Sequence, residues 1–324
     1  AHLVLEQMRR QIDFALAIVD RDVALPSGVQ PIFPVPTVEV EPAEPLLPAP
    51  ETEWVCLFTG GSAGRPMLWS KTVENLVGEA AYLVDAYRFS ADDRIVATVP
   101  PFHIYGLLYS VLAPLLGSAS ISTAAPSFPR ETADVVEACQ ASILVSVPVH
   151  YRAMRETGTY CRPLRLAFSS AGPLDAADAD AFFQHTSTGV TEIYGTTETG
   201  GIAARCRALG QQDLHPFSCI DWKIVSGHLL VRSAFLSPEL PTDDRGYFQT
   251  GDRAVEGATG GITLLGRVDG VVDVGGKRVD TEKIRQRLRS FPGVREAVVA
   301  VLPTESGRQS TLGALVEGEV DPAD

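Results

Sequence analysis

The 324-residue chain has no CxxC pair, no apolar run long enough to cross a bilayer and no excess of basic charge. Its five cysteines, Cys56, Cys139, Cys161, Cys206 and Cys219, are odd in number and scattered. That argues against a disulfide framework and fits small buried hydrophobes in a reducing compartment. The most apolar stretch, Ile104 to Leu116, is too short to span a membrane and contains Gly106 and Pro114, so no stable membrane insertion is expected. A formal net charge of −13 argues against a nucleic-acid binder, which needs a basic face. It leaves room for an anionic ligand held by backbone amides and a single Arg. Glu6, Arg9 and Arg10 interrupt the apolar positions near the start; no secretory leader is visible, and the cytoplasm is the expected location. With 45% hydrophobic and 21% charged residues, the composition is that of an ordinary globular protein, long enough for one large domain and a smaller one.

Leu5, Met8, Ile12, Leu16 and Val19 recur at spacings of three or four, which predicts an amphipathic helix over 2–20. Eight prolines between Pro26 and Pro50 then bar a helix or central strand and predict an extended surface connector. From Glu53, β-rich runs at 54–58, 94–99, 142–148 and 164–170 alternate with helical stretches around 72–87, 130–140 and 175–184. Such alternation predicts parallel strands covered by helices. After Gly200 the texture changes to short strands and turns, with a hairpin expected over 222–233. A second hairpin is expected between Arg267 and Arg278, followed by a helix at 281–290 and strands at 294–302 and 311–316. The expected fold class is α/β, divided into a helix and Pro-rich connector (1–52), a binding core (53–266) and a small α+β piece (267–324).

Three stretches carry chemistry. Leu57-Phe58-Thr59-Gly60-Gly61-Ser62-Ala63-Gly64-Arg65-Pro66 is a strand running into a glycine- and hydroxyl-rich loop, whose backbone N–H groups can surround a phosphate. No GK[ST] follows, so it is not a Walker loop. Gly189 to Gly201 places Tyr194 near a strand end, where open α/β sheets bind ligands. It then offers a hydroxyl and a carboxylate two residues apart, Thr196 and Glu198, suited to a phosphate and its Mg²⁺. Gln249-Thr250-Gly251-Asp252-Arg253, read as a turn, supplies a carboxylate able to accept two ribose hydroxyls, with Arg267 to orient it. Each stretch alone is also compatible with a polar surface turn.

In order and together these residues resemble the superfamily of acyl- and aryl-CoA synthetases, peptide-synthetase adenylation domains and luciferases. TGGSAGRP resembles its phosphate loop, Tyr194 to Glu198 its YGxTE motif, Thr250 to Asp252 its TGD motif, and Gly266 to Asp269 its hinge. Gly276 to Asp280 resembles the motif that follows the hinge. Pro100 to Gly106 looks like the fourth motif, and Ser169 to Leu174 like the adenine-side strand end.

The resemblance implies a fold with a large domain of parallel and mixed sheets flanked by helices, plus a small C-terminal α+β domain. It implies ATP and Mg²⁺ as cofactors. A small carboxylic acid would be the substrate, and an acyl carrier protein or CoA the acceptor. It further implies that Thr59, Gly60, Gly61, Ser62 and Gly64 hold the β- and γ-phosphates. Ala171, Gly172, Pro173, Tyr194 and Gly195 would surround adenine, while Asp252 and Arg267 bind ribose. Thr196 would touch the α-phosphate, Glu198 bind Mg²⁺ and His103 sit by the reacting carboxylate. Phe102, Tyr105, Gly106, Ser170, Gly200 and Gly201 would form the acid pocket, and Asp269 the hinge.

Three features depart from the pattern. Met67 stands where a lysine often follows the loop proline, with Lys71 four residues on. Few residues precede the phosphate loop. The sequence ends at Asp324, before the usual C-terminal lysine, so the small domain is expected to be incomplete, residues 270–324 weakly packed and adenylation slow. The fourth motif reads Phe-His-Ile-Tyr, without the acid that amino-acid activators usually place there. The Pro66-to-Lys71-Thr72 spacing resembles aryl-acid ligases of aryl-polyene and xanthomonadin-type pigment pathways, which implies a hydroxybenzoate-like acid loaded onto a carrier protein. The alternatives are a short- or medium-chain acyl-CoA synthetase and a nucleotide-binding relic.

Overall fold

The structure is a computed structural model that describes residues 16–18, 23–32, 48–60, 66–267, 271–274, 277–302 and 311–318. Its centre is a seven-stranded sheet. Five strands run parallel, in the spatial order Ser120–Ile121, Arg94–Ala97, Ile143–Ser146, Leu166–Ser169, Val190–Thr196. Gly200–Cys206 and His215–Pro216 extend it antiparallel.

The middle strands Arg94–Ala97, Ile143–Ser146 and Leu166–Ser169 are short and mostly apolar, as strands covered on both faces should be. Alternate residues go to opposite sides. Ile95, Ala97, Ile143, Val145, Phe168 and Ile193 join one core cluster; Val96, Leu144, Ala167 and Val190 join the other. The first face is covered by helix Val73–Tyr87, through Leu76, Ala80 and Leu83, and by the helical segment 104–117. Helices Pro129–Ala138, Pro148–Thr157 and Ala176–Thr186 cover the second. A four-stranded antiparallel sheet of Asp221–Val225, His228–Arg232, Phe248–Glu256 and Ile262–Arg267 packs on the first face through Leu229, Val231, Ala254 and Ile262.

Local chemistry sets the ends. Thr72 and Asn75 form a reciprocal capping box at the start of helix Val73–Tyr87, satisfying two otherwise orphaned donors. At the strand-entry edge of the central sheet Asp93 accepts two bonds from Arg165 (2.9 and 2.6 Å) and one from Ser142 (2.8 Å). These three residues each immediately precede a parallel strand.

Several expectations need correction. The helix over 2–20 does not hold at its C-terminal end. Leu16–Ile18 is a strand paired in parallel with Gln30–Ile32, and the three-to-four spacing did not prevail over that partner. Residues 1–15 and 19–22 lie outside the described residues. The run at 54–58 is not in the parallel sheet. Glu53–Gly60 instead pairs antiparallel with Pro66–Thr72 in its own hairpin, because the connection between them is too short for a parallel crossover. QTGD is no turn but the middle of strand Phe248–Glu256, its glycine leaving room for the Arg267 guanidinium. Helices 104–117 and Pro148–Thr157 had no counterpart in the sequence reading. The hairpin at 222–233 is present. So are the hairpin Val271–Val274 with Lys277–Asp280, helix Thr281–Arg289, and the paired strands Val294–Leu302 and Thr311–Gly318.

Candidate active site

Four parallel strands end on one side of the central sheet, and the segments leaving them enclose a cavity of about 620 Å³. Thr98, Val99 and Pro100 follow strand Arg94–Ala97, while Val147 and His150 follow Ile143–Ser146. Ser170 and Ala171 follow Leu166–Ser169, and Gly195 and Thr196 end Val190–Thr196. This is the carboxyl edge of the sheet, where diverging loops leave a crevice that ligands can enter.

The turn from Thr196 to Gly200 is held on several sides. Thr199 Oγ1 lies 2.9 Å from Thr196 Oγ1, accepts the Thr196 N–H at 3.1 Å and donates to the Gly200 carbonyl. The Glu198 carbonyl accepts from Lys71 Nζ at 3.0 Å and from the Ser237 amide at 2.8 Å. With its backbone fixed in this way, the Glu198 side chain is free to line the cavity. Gly195 and Gly201 face each other across the hairpin. A Cβ on Gly195 would stand 2.2 Å from the Gly200 carbonyl oxygen. Gly200 itself adopts φ +68°, a conformation glycine takes without penalty.

The cavity brings together Thr59, Phe102, His103, Tyr105, Ser170, Ala171, Gly195, Thr196, Glu198, Gly200 and Gly201. His103 is exposed and lies against the Phe102 ring, centroids 4.9 Å apart. Tyr105 is buried and donates to the Ser146 carbonyl. Ala171 is held at φ +67°, unusual for a residue with a Cβ.

Other expected site residues lie elsewhere. Gly106 is not on the cavity wall: its Cα packs against Pro100, where a Cβ would approach the carbonyl oxygen to 2.1 Å. It is a close-packing glycine. Gly172 and Pro173 are exposed and not on the wall. Tyr194, Asp252 and Arg267 form a cluster of their own where the two sheets meet. The Tyr194 hydroxyl donates to Asp252 Oδ2 at 2.6 Å, and Arg267 Nη1 lies 3.7 Å from Asp252 Oδ1. Asp252 and Arg267 are cross-strand partners, and Thr250 secures the backbone on both sides. Burial first, and then the Asp252 carboxylate, push the Tyr194 hydroxyl well above its ordinary pKa, so it stays a donor. Gly60 is the last residue of its strand, opposite Pro66. Gly61, Ser62, Gly64 and Asp269 lie outside the described residues.

The sequence reading missed Glu79, Tyr109, Thr98 and His150, all on the cavity wall. Glu79 had a visible signal: it sits three residues after Leu76 and four before Leu83, an acid inside the buried stripe of helix Val73–Tyr87. Burial raises its pKa, opposed by the bond from the Gly201 amide (2.7 Å) and by Lys71. Lys71 is also buried and held below its ordinary value, with Glu79, Glu198 and Glu239 opposing that shift. It donates to the Phe235 and Glu198 carbonyls, making it a strut under the turn. Glu79 thus brings a carboxyl group to the cavity wall from helix Val73–Tyr87. Burial likewise lowers the His150 imidazole.

The donor set limits what metal could be held. Among the described residues no three His, Cys, Asp or Glu side chains converge. A single carboxylate such as Glu198 does fit Mg²⁺, which keeps waters and takes oxygens from a substrate phosphate.

Comparison with known proteins agrees with this geometry. The chain is 24% identical over 322 residues to a sulfoacetate–CoA ligase of Cupriavidus necator, covering 91% of this chain and 62% of that protein. It is 28% identical over 282 residues to a 4-coumarate–CoA ligase of Halorhodospira halophila, covering 84% and 66%. It spans 48% of the length of an acyl-CoA ligase of Ajellomyces capsulatus. Among solved structures, a malonyl-CoA ligase bound to methylmalonyl-CoA and AMP superposes with TM-score 0.76 at 23% identity, over 99% of this chain and 76% of that one. An o-succinylbenzoate CoA synthetase from Bacillus subtilis superposes with TM-score 0.74 at 16% identity, over 99% and 73%. These likenesses establish the fold. The model of the AMP-binding enzyme family matches residues 7–231, well over half of the sequence, and the chain belongs to that family.

Proposed function

We propose that the chain activates a small, hydroxybenzoate-like aromatic acid with ATP and passes the acyl group to a thiol. The acceptor in this reading is the phosphopantetheine of an acyl carrier protein or CoA. The observation that carries it is the convergence of Thr59, His103, Ser170, Thr196 and Glu198 on one cavity at the carboxyl edge of the sheet. Two residues before Thr196 on the same strand, Tyr194 anchors the Tyr194–Asp252–Arg267 cluster. In the first half-reaction a substrate carboxylate oxygen attacks the α-phosphorus of ATP and pyrophosphate leaves. In the second the acceptor's sulfur attacks the acyl carbon and AMP leaves.

The protein's part is positioning and charge. Asp252 would take the ribose hydroxyls, Thr196 would donate to the α-phosphate, and His103 would sit at the carboxylate and thiol entry. Glu198 would hold Mg²⁺, which neutralises phosphate charge when bound. The division at Gly266, with a swing about Asp269 between the two half-reactions, belongs to the same reading.

An aromatic substrate is supported by a lining that combines Phe58, Phe102, Tyr105 and Tyr109 with Gly195, Gly200 and Gly201. The names of the 4-coumarate and 4-chlorobenzoate CoA ligases among its relatives point the same way. ATP–pyrophosphate exchange with a panel of acids tests the proposal. Hydroxybenzoates should exchange faster than octanoate or any amino acid, and Glu198→Gln should need far more Mg²⁺. Faster exchange with octanoate would reassign the chain to fatty acids, and no exchange with any acid would leave only nucleotide binding.

A further inference from the structure

We propose that Lys71 is a positioning residue for the metal end of the site. Its buried amino group fixes the Thr196–Gly200 turn against the hairpin that carries Thr59, so that Glu198 faces a phosphate held between them. The assignment rests on the adenylation reading above, which supplies the ligand as ATP with Mg²⁺.

Lys71 is the last residue but one of strand Pro66–Thr72, and it is 1% exposed. Lysine is seldom buried this deeply unless its amino group is given partners. The partners here are two main-chain carbonyls, Phe235 at 2.7 Å and Glu198 at 3.0 Å. What Lys71 fixes is therefore backbone, and one of the two backbones belongs to the proposed metal ligand.

Three pieces of chain are tied together around this amino group. The segment 234–239 holds the hairpin side: the Ser70 amide donates to Glu239 Oε1, and Asn75 Nδ2 to the Ala234 carbonyl, both at 2.6 Å. It holds the turn as well, because the Ser237 amide donates to the Glu198 carbonyl at 2.8 Å. Lys71 closes the triangle, bonding to the segment at Phe235 and to the turn at Glu198. Leu57, Phe58 and Thr59 line the cavity from the hairpin, and Thr196, Thr197 and Glu198 line it from the turn. The hairpin and the turn belong to different sheets, so no shared ladder of strand hydrogen bonds sets their spacing. A metal that takes one carboxylate, with phosphate oxygens and water for the rest, is sensitive to that spacing. Support behind a metal ligand is typically worth about ten- to a hundredfold in metal affinity.

The test is isothermal titration of ATP into the full chain at a series of MgCl₂ concentrations, below the Tm of every variant. It gives the Mg²⁺ concentration at which ATP binding is half-enhanced. Wild type, Lys71→Met, Glu198→Gln and the double variant are compared, each with its Tm. Lys71→Met keeps the length of the side chain and removes the donor; Lys71→Gln, with a shorter donor, replaces it if Lys71→Met does not fold. The expected result is a midpoint about tenfold or more higher in Lys71→Met. Adding Lys71→Met to Glu198→Gln should then raise it little further, because both changes act through one carboxylate. A lowered Tm with an unchanged midpoint overturns the assignment and leaves Lys71 a support of the fold alone. Fully additive shifts overturn it too, since Lys71 then acts elsewhere. A wild type whose ATP binding ignores Mg²⁺ overturns both this assignment and the role of Glu198. Shifts as expected in a protein that exchanges pyrophosphate with no acid support the assignment and refute adenylation.

Discussion

Asp252 does two jobs with one carboxylate. It accepts from Tyr194 at 2.6 Å and faces Arg267 at 3.7 Å, and in the proposed function it also accepts the ribose hydroxyls. Charge-assisted bonds of this kind are worth about 1.5–3 kcal/mol each. Asp252→Ala should therefore weaken ATP binding more than tenfold while the fold survives; isothermal titration giving unchanged affinity would refute the role. Glu79 offers a second residue-level outcome, read through pH. Burial raises its pKa to about 7 against the Gly201 amide and Lys71. A carboxyl with a raised folded pKa contributes stability below its ordinary pKa and loses it as the pH climbs through the raised value. Glu79→Gln abolishes that titration, so its Tm should gain on the wild type's between about pH 5 and pH 8. Melting curves across that range showing a constant difference would mean that Glu79 does not titrate as assigned.

The hairpin of Val190–Thr196 and Gly200–Cys206 is the element on which the site depends. Its backbones approach at Gly195 closely enough that a Cβ there collides with the backbone of Gly200 and Gly201, while one on Gly201 would meet the Phe217 and Glu79 side chains. Farther along, Glu192 and Arg205 pair across the strands through two bonds of 3.0 Å. The far end is thus pinned by charge and the near end by the absence of side chains. Gly195→Ala should cost about 2–4 kcal/mol, since two rigid backbones must part to admit the methyl group. Because Thr196 and Glu198 move with the turn, exchange activity should fall further than stability accounts for. A variant with full activity and wild-type urea midpoint would show that the approach is looser than described.

For the whole molecule, the two ends of the central sheet have different tasks. Asp93, Ser142 and Arg165 tie the entry edge, while the exit edge is left open as the cavity. Phe168 links the two concerns. Fully buried, it meets Tyr87 and Tyr109 with ring centroids 4.8 and 5.0 Å away, and Tyr109 is part of the cavity wall. Phe168→Ala should destabilise by about 3–5 kcal/mol, lowering the urea midpoint without changing the slope. It should also raise the KM for the acid, as Tyr109 loses the ring behind it. A midpoint shift with an untouched KM would separate the core from the cavity wall.

Much of this could be read from the chain alone. Local periodicity set the parallel strands at 94–97, 143–146 and 166–169 and most of their covering helices, because runs such as Ile143–Ser146 permit little but a strand buried on both faces, and the motif at Gly189–Gly201 pointed to a strand before Tyr194. Resemblance to the family singled out Thr59, His103, Ser170, Thr196 and Glu198, which the structure brings to one cavity wall, and Asp252, which it places against Tyr194. Local pattern does not carry partner choice. Glu53–Gly60 reads like any core strand, yet its neighbour is Pro66–Thr72 and not the central sheet. Leu16–Ile18 reads as helix until Gln30–Ile32 pairs with it. Nor does spacing along the chain reveal that Glu79 meets Gly200 and Gly201 more than a hundred residues away, or that Tyr109 is left without a partner. Those are consequences of where two helices lie on the sheet, set by the packing of the whole core, and only the tertiary structure could decide them.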